Sequence, residues 1–538
     1  MIVRLIGLPV GIPSPTPTGN TFGSDVFHFS FLLTAMIWLP VIGAVLIAVL
    51  PSPAGRWDRQ LRMTAMAVCG FLLFLAFIAY GQFAVAAGGL QFEENVPWLP
   101  GIGARYHLGV DGVGIVALLL NSLVGVVAVL ASWQVRTRMR EYFALLLLVQ
   151  AAVNGVVCAH DLFVLVVFWG ACTIPVALLV AGWGGPRRQQ ATNRLLVYWG
   201  LGSVALVIAV LFLYQATGWV SFDFDYVLKA QLDRRIQIAA GIAVLIAAGT
   251  RLPLFPLHGW ARDLFAEAPA GVAVIVTGSV TRLGAYLMLR VLVGAMPDGA
   301  HALSSWLAAA AVATAVFSGV MALAQVRGDR DVRRLGAYLA LLPGAVTALA
   351  LAGLTPLSIE AAGFSLFAGG LAAALAVGAC ATLADRAQTR SLAVLNGIGL
   401  RSPSLAWLVA LAGFAVLGIP GFATWTAHAL TFLGTVRTLP LWTAATAAGL
   451  VLAAFAVAGL LYRAVYGPPN PDAPAVSDSS LSEKWYLGVL VGVLIWVGVA
   501  PSGPKIAGVP LPIDPGVINV INTSMNDLAT PYAPAAPK

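Results

Sequence analysis

About fourteen apolar runs, each long enough to cross a bilayer as a helix, divide this chain of 538 residues and rule out most folds at once. They lie near 31–50, 63–87, 113–133, 140–158, 160–183, 194–217, 236–257, 270–293, 303–324, 334–354, 360–383, 403–433, 440–466 and 485–503. Hydrophobic residues make up 60% and charged residues 10% of the chain, with a mean hydropathy of +0.90. That much apolar surface needs lipid as its solvent. In lipid, each spanning segment must satisfy its own backbone hydrogen bonds, so the expectation is an all-α integral membrane protein.

The net charge of +8 does not indicate nucleic acid, because no basic aromatic patch accompanies it. The arginines fall in short connections between apolar runs: Arg56, Arg59 and Arg62; Arg136, Arg138 and Arg140; Arg187 and Arg188; Arg327, Arg330, Arg333 and Arg334; Arg386 and Arg390. These are odd-numbered connections. Even-numbered ones carry fewer, with Lys229, Arg234 and Arg235 as an exception. By the positive-inside rule the odd connections are cytoplasmic, so both termini are expected outside a bacterial inner membrane. The expected organisation is an extracytoplasmic extension over 1–30, a membrane domain over 31–503 and an extracytoplasmic tail over 504–538. Residues 467–484 read as a polar, flexible loop.

Cys69, Cys158, Cys172 and Cys380 all sit in apolar runs without metal-ligand spacing. They read as small buried hydrophobes, with no zinc or iron–sulfur framework. No nucleotide-binding glycine loop is present either, so no cofactor, metal or catalytic residue is expected in this chain.

Two runs are interrupted, one by Pro253 and Pro256, the other by Gly418, Pro420 and Gly421. Paired interruptions of this kind mark a pathway between inverted repeats, or else are ordinary kinks in a bundle. Arg251 precedes the first interruption and Arg282 lies inside the next run. A charge in such a segment costs about 2.5–3.5 kcal/mol on insertion scales, so each arginine should have a partner, a hydrated cavity or a function. With no acid near mid-helix in the neighbouring segments, Arg251 is expected to face water or carbonyls freed by the two prolines. Arg333 and Arg334 are expected to snorkel at the interface. Asp111 should cap the third helix.

The strings LGVDGVGIVALLL (108–120), DLFVLVVFWGACTIPVALLVAGWGG (161–185), RLPLFPLHGW (251–260), EAP (267–269), TRLGAYLMLR (281–290), DVRRLGAY (331–338) and GIPGFATWTAHALTFLG (418–434) occur in order. In these the chain resembles the antiporter-like membrane subunits of respiratory complex I, subunit M in particular. It is similar also to Mrp-type antiporter and membrane hydrogenase subunits. The resemblance implies fourteen helices with two inverted five-helix repeats, here roughly 140–293 and 303–466, each holding a broken helix. It also implies neighbouring membrane subunits as partners.

The departures fall on the residues that carry charge in that family. A glutamate of the fifth helix is replaced by Gly170, and lysines of the seventh and eighth helices by Arg251 and Arg282. Histidines expected in the tenth and eleventh helices fall on Pro343 and Gly369. The charged position of the broken twelfth helix falls on His428. Lysine can release a proton when buried, whereas arginine stays charged. The resemblance therefore implies a proton-translocating subunit of an NADH-quinone oxidoreductase-like complex whose path is atypical or weakened at Gly170, Arg251 and Arg282. A subunit of an Mrp-type cation/proton antiporter or an ion-coupled inorganic-carbon uptake complex, and a transport-inactive structural paralogue, remain alternatives. The pathway candidates are Arg251, Arg282, His258 and His428, with Pro253, Pro256, Pro420 and Gly421 as helix breaks. His428 is either a proton relay or a core histidine bonded to a carbonyl, and His258 either a proton entry point or a brace.

Overall fold

A computed structural model describes residues 31–49, 57–328, 331–392, 395–468, 476–502, 505–506, 509–510 and 516–532. The expected extension over 1–30, Arg56, Arg330 and part of the polar loop, 469–475, lie outside the described residues.

The architecture is helical from end to end. α1 (Leu32–Val49) and α2 (Asp58–Gln82) lead into an antiparallel hairpin of β1 (Gln91–Leu99) and β2 (Ala104–Val110). Next come α3 (Gly112–Ala131), α4 (Met139–Cys158), α5 (Leu162–Trp183), α6 (Arg188–Ala216), the short α7 (Phe224–Lys229), α8 (Arg234–Arg251) and α9 (Gly259–Glu267). α10 (Ala270–Val293), α11 (Pro297–Arg327), α12 (Val332–Gly353) and α13 (Pro356–Ala387) follow. Then α14 (Pro403–Leu417), α15 (Ala423–Thr435), α16 (Pro440–Leu460), α17 (Leu481–Val499) and α18 (Val517–Ala529) complete the chain. Among the described residues, twelve helices are long and apolar enough to cross a membrane.

Short polar side chains start these helices as their chemistry requires. Asp111 accepts from the Gly114 amide at the head of α3, and Asp161 from the Phe163 and Val164 amides at the head of α5. Thr355 with Ser358, and Ser480 with Glu483, form reciprocal capping boxes on α13 and α17. The apolar central stretches of α10, α12 and α13 are wholly buried, whereas α2, α6 and α16 bury only one side. The outward faces carry Val197, Trp306 and Leu441, which suit a hydrocarbon solvent.

The two expected interruptions are real. α8 stops at Arg251, the chain turns through Pro253 and Pro256, and α9 resumes at Gly259. α14 stops at Leu417, Gly418 and Gly421 take φ of +69° and +102°, and α15 resumes at Ala423. A Cβ on Gly418 would also lie 2.4 Å from Nδ1 of His428, so glycine is required there twice over.

Two expectations change. The stretch after 504 contains a helix: α18 buries Val520, Ile521 and Met525, and Ser524 Oγ accepts from the Gly112 amide at 2.6 Å. Its apolar positions recur at helical spacing, a weak signal in a segment dominated by its prolines. Arg333 does not snorkel. It is buried, donates to the Ala266 and Ala268 carbonyls and pairs with Asp385, tying the end of α9 to α12 and α13.

Candidate functional site

Arg251, the last residue of α8, is fully buried. Its Nη2 donates to the Trp169 carbonyl at 2.8 Å and to Thr173 Oγ1 at 3.0 Å, both on α5. The guanidinium carbon lies 3.7 Å from the ring centre of Trp199 on α6 and 4.9 Å from that of Trp169. Trp199 is fixed in turn edge-to-face by Trp260, whose indole donates to the Thr250 carbonyl. A desolvated cation over an indole face gains about 2 kcal/mol, so two rings replace much of what a carboxylate would give. The expected partners were water or the carbonyls freed by Pro253 and Pro256. The observed ones come from α5 and α6. Nε and Nη1 make no hydrogen bond.

Gly170, next to Trp169, has open space where a Cβ would stand. The buried position at this level of α5 is thus taken by the indole.

Arg282 is held differently. Nε donates to Thr281 Oγ1 at 3.2 Å, and Nη1 has no partner. The side chain lines a small cavity with Asn121, Ser279, Tyr286 and Leu366. Ser279 Oγ and Asn121 Oδ1 are buried there without partners as well. π-helical turns at Val276–Val280 and Met288–Val293 flank the arginine, a local widening common at functional positions. A Cβ on Gly369 would lie 3.0 Å from Pro343 Cβ and 3.4 Å from Arg282 Nη1. Of the two positions where the resemblance expects histidine, Gly369 adjoins this guanidinium and Pro343 adjoins Gly369.

The two histidines stand apart from the arginines. His258 forms no hydrogen-bonded brace: its ring stacks on Phe255 at 5.3 Å and meets Phe317 edge-on at 4.5 Å, with Nδ1 buried and unpartnered. His428 is buried on α15 against Gly418 and bonds to the Leu417 backbone at the break. Among the described residues, no two of Arg251, Arg282, His258 and His428 share a hydrogen bond or ion pair.

A second ionisable group, not singled out in the sequence, lies at the hairpin end of the bundle. Arg290, two turns beyond Arg282 on α10, pairs with Asp111 at 2.7 Å and reaches His160 Nδ1 at 3.4 Å. His160 contacts Asp225 at 3.0 Å, and His107 lies between Asp223 at 2.7 Å and Glu93 at 3.0 Å. Burial disfavours protonation of His107, but the Asp223 hydrogen bond and the charges of Asp223, Glu93 and Asp225 outweigh it and raise its pKa. Burial and the neighbouring Arg290 lower that of His160. These residues come from β1, β2, α7, α10 and three separate connections, so no local motif announces them.

The family description "NADH:quinone oxidoreductase/Mrp antiporter, TM" matches residues 159–455. "NAD(P)H-quinone oxidoreductase chain 4-2" of Synechocystis sp. is 30% identical over 85% of this chain and 81% of its own length. "NADH-quinone oxidoreductase subunit M" of Rhodobacter capsulatus is 27% identical over 88% and 96%. In structure, the chain is similar to one in respiratory complex I from Thermus thermophilus, with TM-score 0.80, 23% identity and coverage of 92% and 99%. It is equally similar to one in the Mrp complex from Dietzia sp., with TM-score 0.80, 18% identity and coverage of 94% and 98%. A broken-helix membrane bundle with buried ionic positions, matched over more than half its length, thus belongs to the NADH:quinone oxidoreductase/Mrp antiporter transmembrane family.

Proposed function

We propose that this chain is a membrane-arm subunit of an NADH-quinone oxidoreductase-like complex and takes part in proton translocation with fixed, rather than switched, charge at 251 and 282. The relatives are subunits of that name, which supports the parent assembly. One observation carries the altered path: Arg251 sits between two indoles and hydrogen-bonded to α5, with no carboxylate in contact. A guanidinium so held keeps its charge. It can set the potential around water and around neighbouring groups but cannot act as a release station. The unpartnered Arg282 Nη1, Ser279 and Asn121 supply polar atoms that a water could bridge, with room for about one. His428 is the titratable group at the second break, and His258 at the first. The broken spans fall one in each proposed repeat, 140–293 and 303–466. By arginine placement the hairpin end faces outward, as do both termini.

The Mrp-type reading draws on the equal structural likeness to the Dietzia complex. The inactive-paralogue reading draws on Gly170 and the clamped Arg251. Purifying the chain with its native neighbours separates the first two, since flavin-bearing redox subunits should accompany it. Reconstituting that complex in liposomes tests the path. Arg282→Lys should assemble and retain proton flux, whereas Arg282→Ala should assemble with reduced flux. Normal flux in an assembled Arg282→Ala complex would remove Arg282 from the path, and unchanged flux in His428→Ala across pH 6–8 would remove His428.

A further inference from the structure

We infer that His107, His160 and Asp223 form a binding site for one divalent metal ion of the zinc class, stapling the β-hairpin to the connections that precede α5 and α7. One nitrogen of each ring and one Asp223 oxygen all lie within 4.8 Å of one another, and all three residues are buried. Tetrahedral zinc with nitrogen and oxygen ligands near 2.0–2.2 Å needs ligand atoms roughly 3.4 Å apart. Binding would draw the three ligand atoms closer together by side-chain rotation.

The backbone beneath is already set. The His160 amide donates to the His107 carbonyl at 2.9 Å, and the Phe224 amide to the His160 carbonyl at 3.0 Å, so the three ligand-bearing segments are laced side by side. Asp223 uses Oδ1 to cap α7 through the Asp225 amide, leaving Oδ2 for the site. Each imidazole also has a further carboxylate: Glu93 beside His107 and Asp225 beside His160. On His107, whose Nδ1 faces Asp223 and whose Nε2 faces Glu93, this is the outer-shell arrangement that orients a metal-bound histidine. Both of these carboxylates are about half exposed, at 54% and 51%, and give an approach from solvent.

Charge and hydrogen bonding point the same way. Glu93, Asp223 and Asp225 stand against the two imidazoles, while Arg290 pairs with Asp111 and reaches His160 Nδ1 at 3.4 Å. Moreover, a neutral imidazole has one N–H, yet His107 has a carboxylate at each nitrogen, and its buried Nε2 makes no hydrogen bond. A positive centre, metal or proton, has to complete that arrangement. Two imidazoles and a carboxylate with no thiolate suit zinc, and the more weakly held cobalt(II) serves as a spectroscopic substitute.

The test uses the full-length protein in detergent, stripped with chelator and titrated with Zn²⁺ alone. One equivalent should bind per chain, and Co²⁺ should give the intense visible absorption of a four-coordinate site. His160→Gln and Asp223→Asn should each weaken zinc binding about tenfold or more, and the exposed Glu93→Gln about tenfold. Less than one zinc per chain, or a cobalt complex with only weak six-coordinate bands, would overturn the site and leave a protonated His107 in its place. Wild-type affinity in folded His160→Gln and Asp223→Asn would do the same. The cobalt spectrum is read on the unaltered protein and so decides the matter even if a variant does not fold.

Discussion

Arg251 and Arg282 are both buried cations in the middle of an apolar bundle, yet their surroundings differ in kind. Arg251 is held by a carbonyl, a hydroxyl and two indole faces drawn from α5 and α6. Arg282 has one hydrogen bond, to the residue before it, and otherwise faces a small cavity lined mostly by apolar side chains, with Asn121 and Ser279 among them. The first is a charge clamped between helices. The second is a charge kept in place with little bonding to show for it.

The sharpest way to break this contrast is to remove the clamp. Trp199→Ala deletes a large buried ring and a cation–π partner and should destabilise the purified protein by about 3–5 kcal/mol. A loss under about 1 kcal/mol in chemical denaturation would show that Arg251 does not depend on it. Thr173→Val removes one hydrogen bond to a charged group and should cost about 1.5–3 kcal/mol, read as a lower melting temperature. Arg282→Met should change stability by less than about 1 kcal/mol, because a weakly bonded buried charge replaced by an apolar chain of similar length is close to neutral. Destabilisation equal to that of Trp199→Ala would erase the distinction between the two sites. Gly170→Glu meets no atom where its Cβ would go, so its cost, at most about 2.5–3.5 kcal/mol, is that of placing an acid in a membrane span. Combined with Arg251→Lys it puts back an acid and a titratable base, and proton flux in the reconstituted complex should rise. No rise would indicate that the fixed charge is not what limits this path.

Much of this was legible in order along the chain. Apolar runs, their interruptions at Pro253, Pro256, Gly418 and Pro420, and the cap at Asp111 are local features, and local features survive in sequence. The reach of Arg251 was not legible, since its partners at 169, 173 and 199 are separated from it by whole helices. The burial of Arg333 was hidden for the same reason: a guanidinium next to a helix start looks alike whether it meets headgroups or the Ala266 and Ala268 carbonyls. The surroundings of His160 were hidden likewise, because Asp225, Arg290 and His107 come to it from three other segments.

By itself the amino-acid sequence determined the solvent, the helical class, the two breaks and the positions of the interior charges, because hydropathy, proline geometry and residue type act within a few residues. Tertiary structure alone decided what those charges meet. Electrostatic and aromatic contacts act over a few ångströms in space, and in a bundle of long helices neighbours in space are distant in sequence. That is why two arginines of one type, thirty-one residues apart, end as a clamped joint and an open charge.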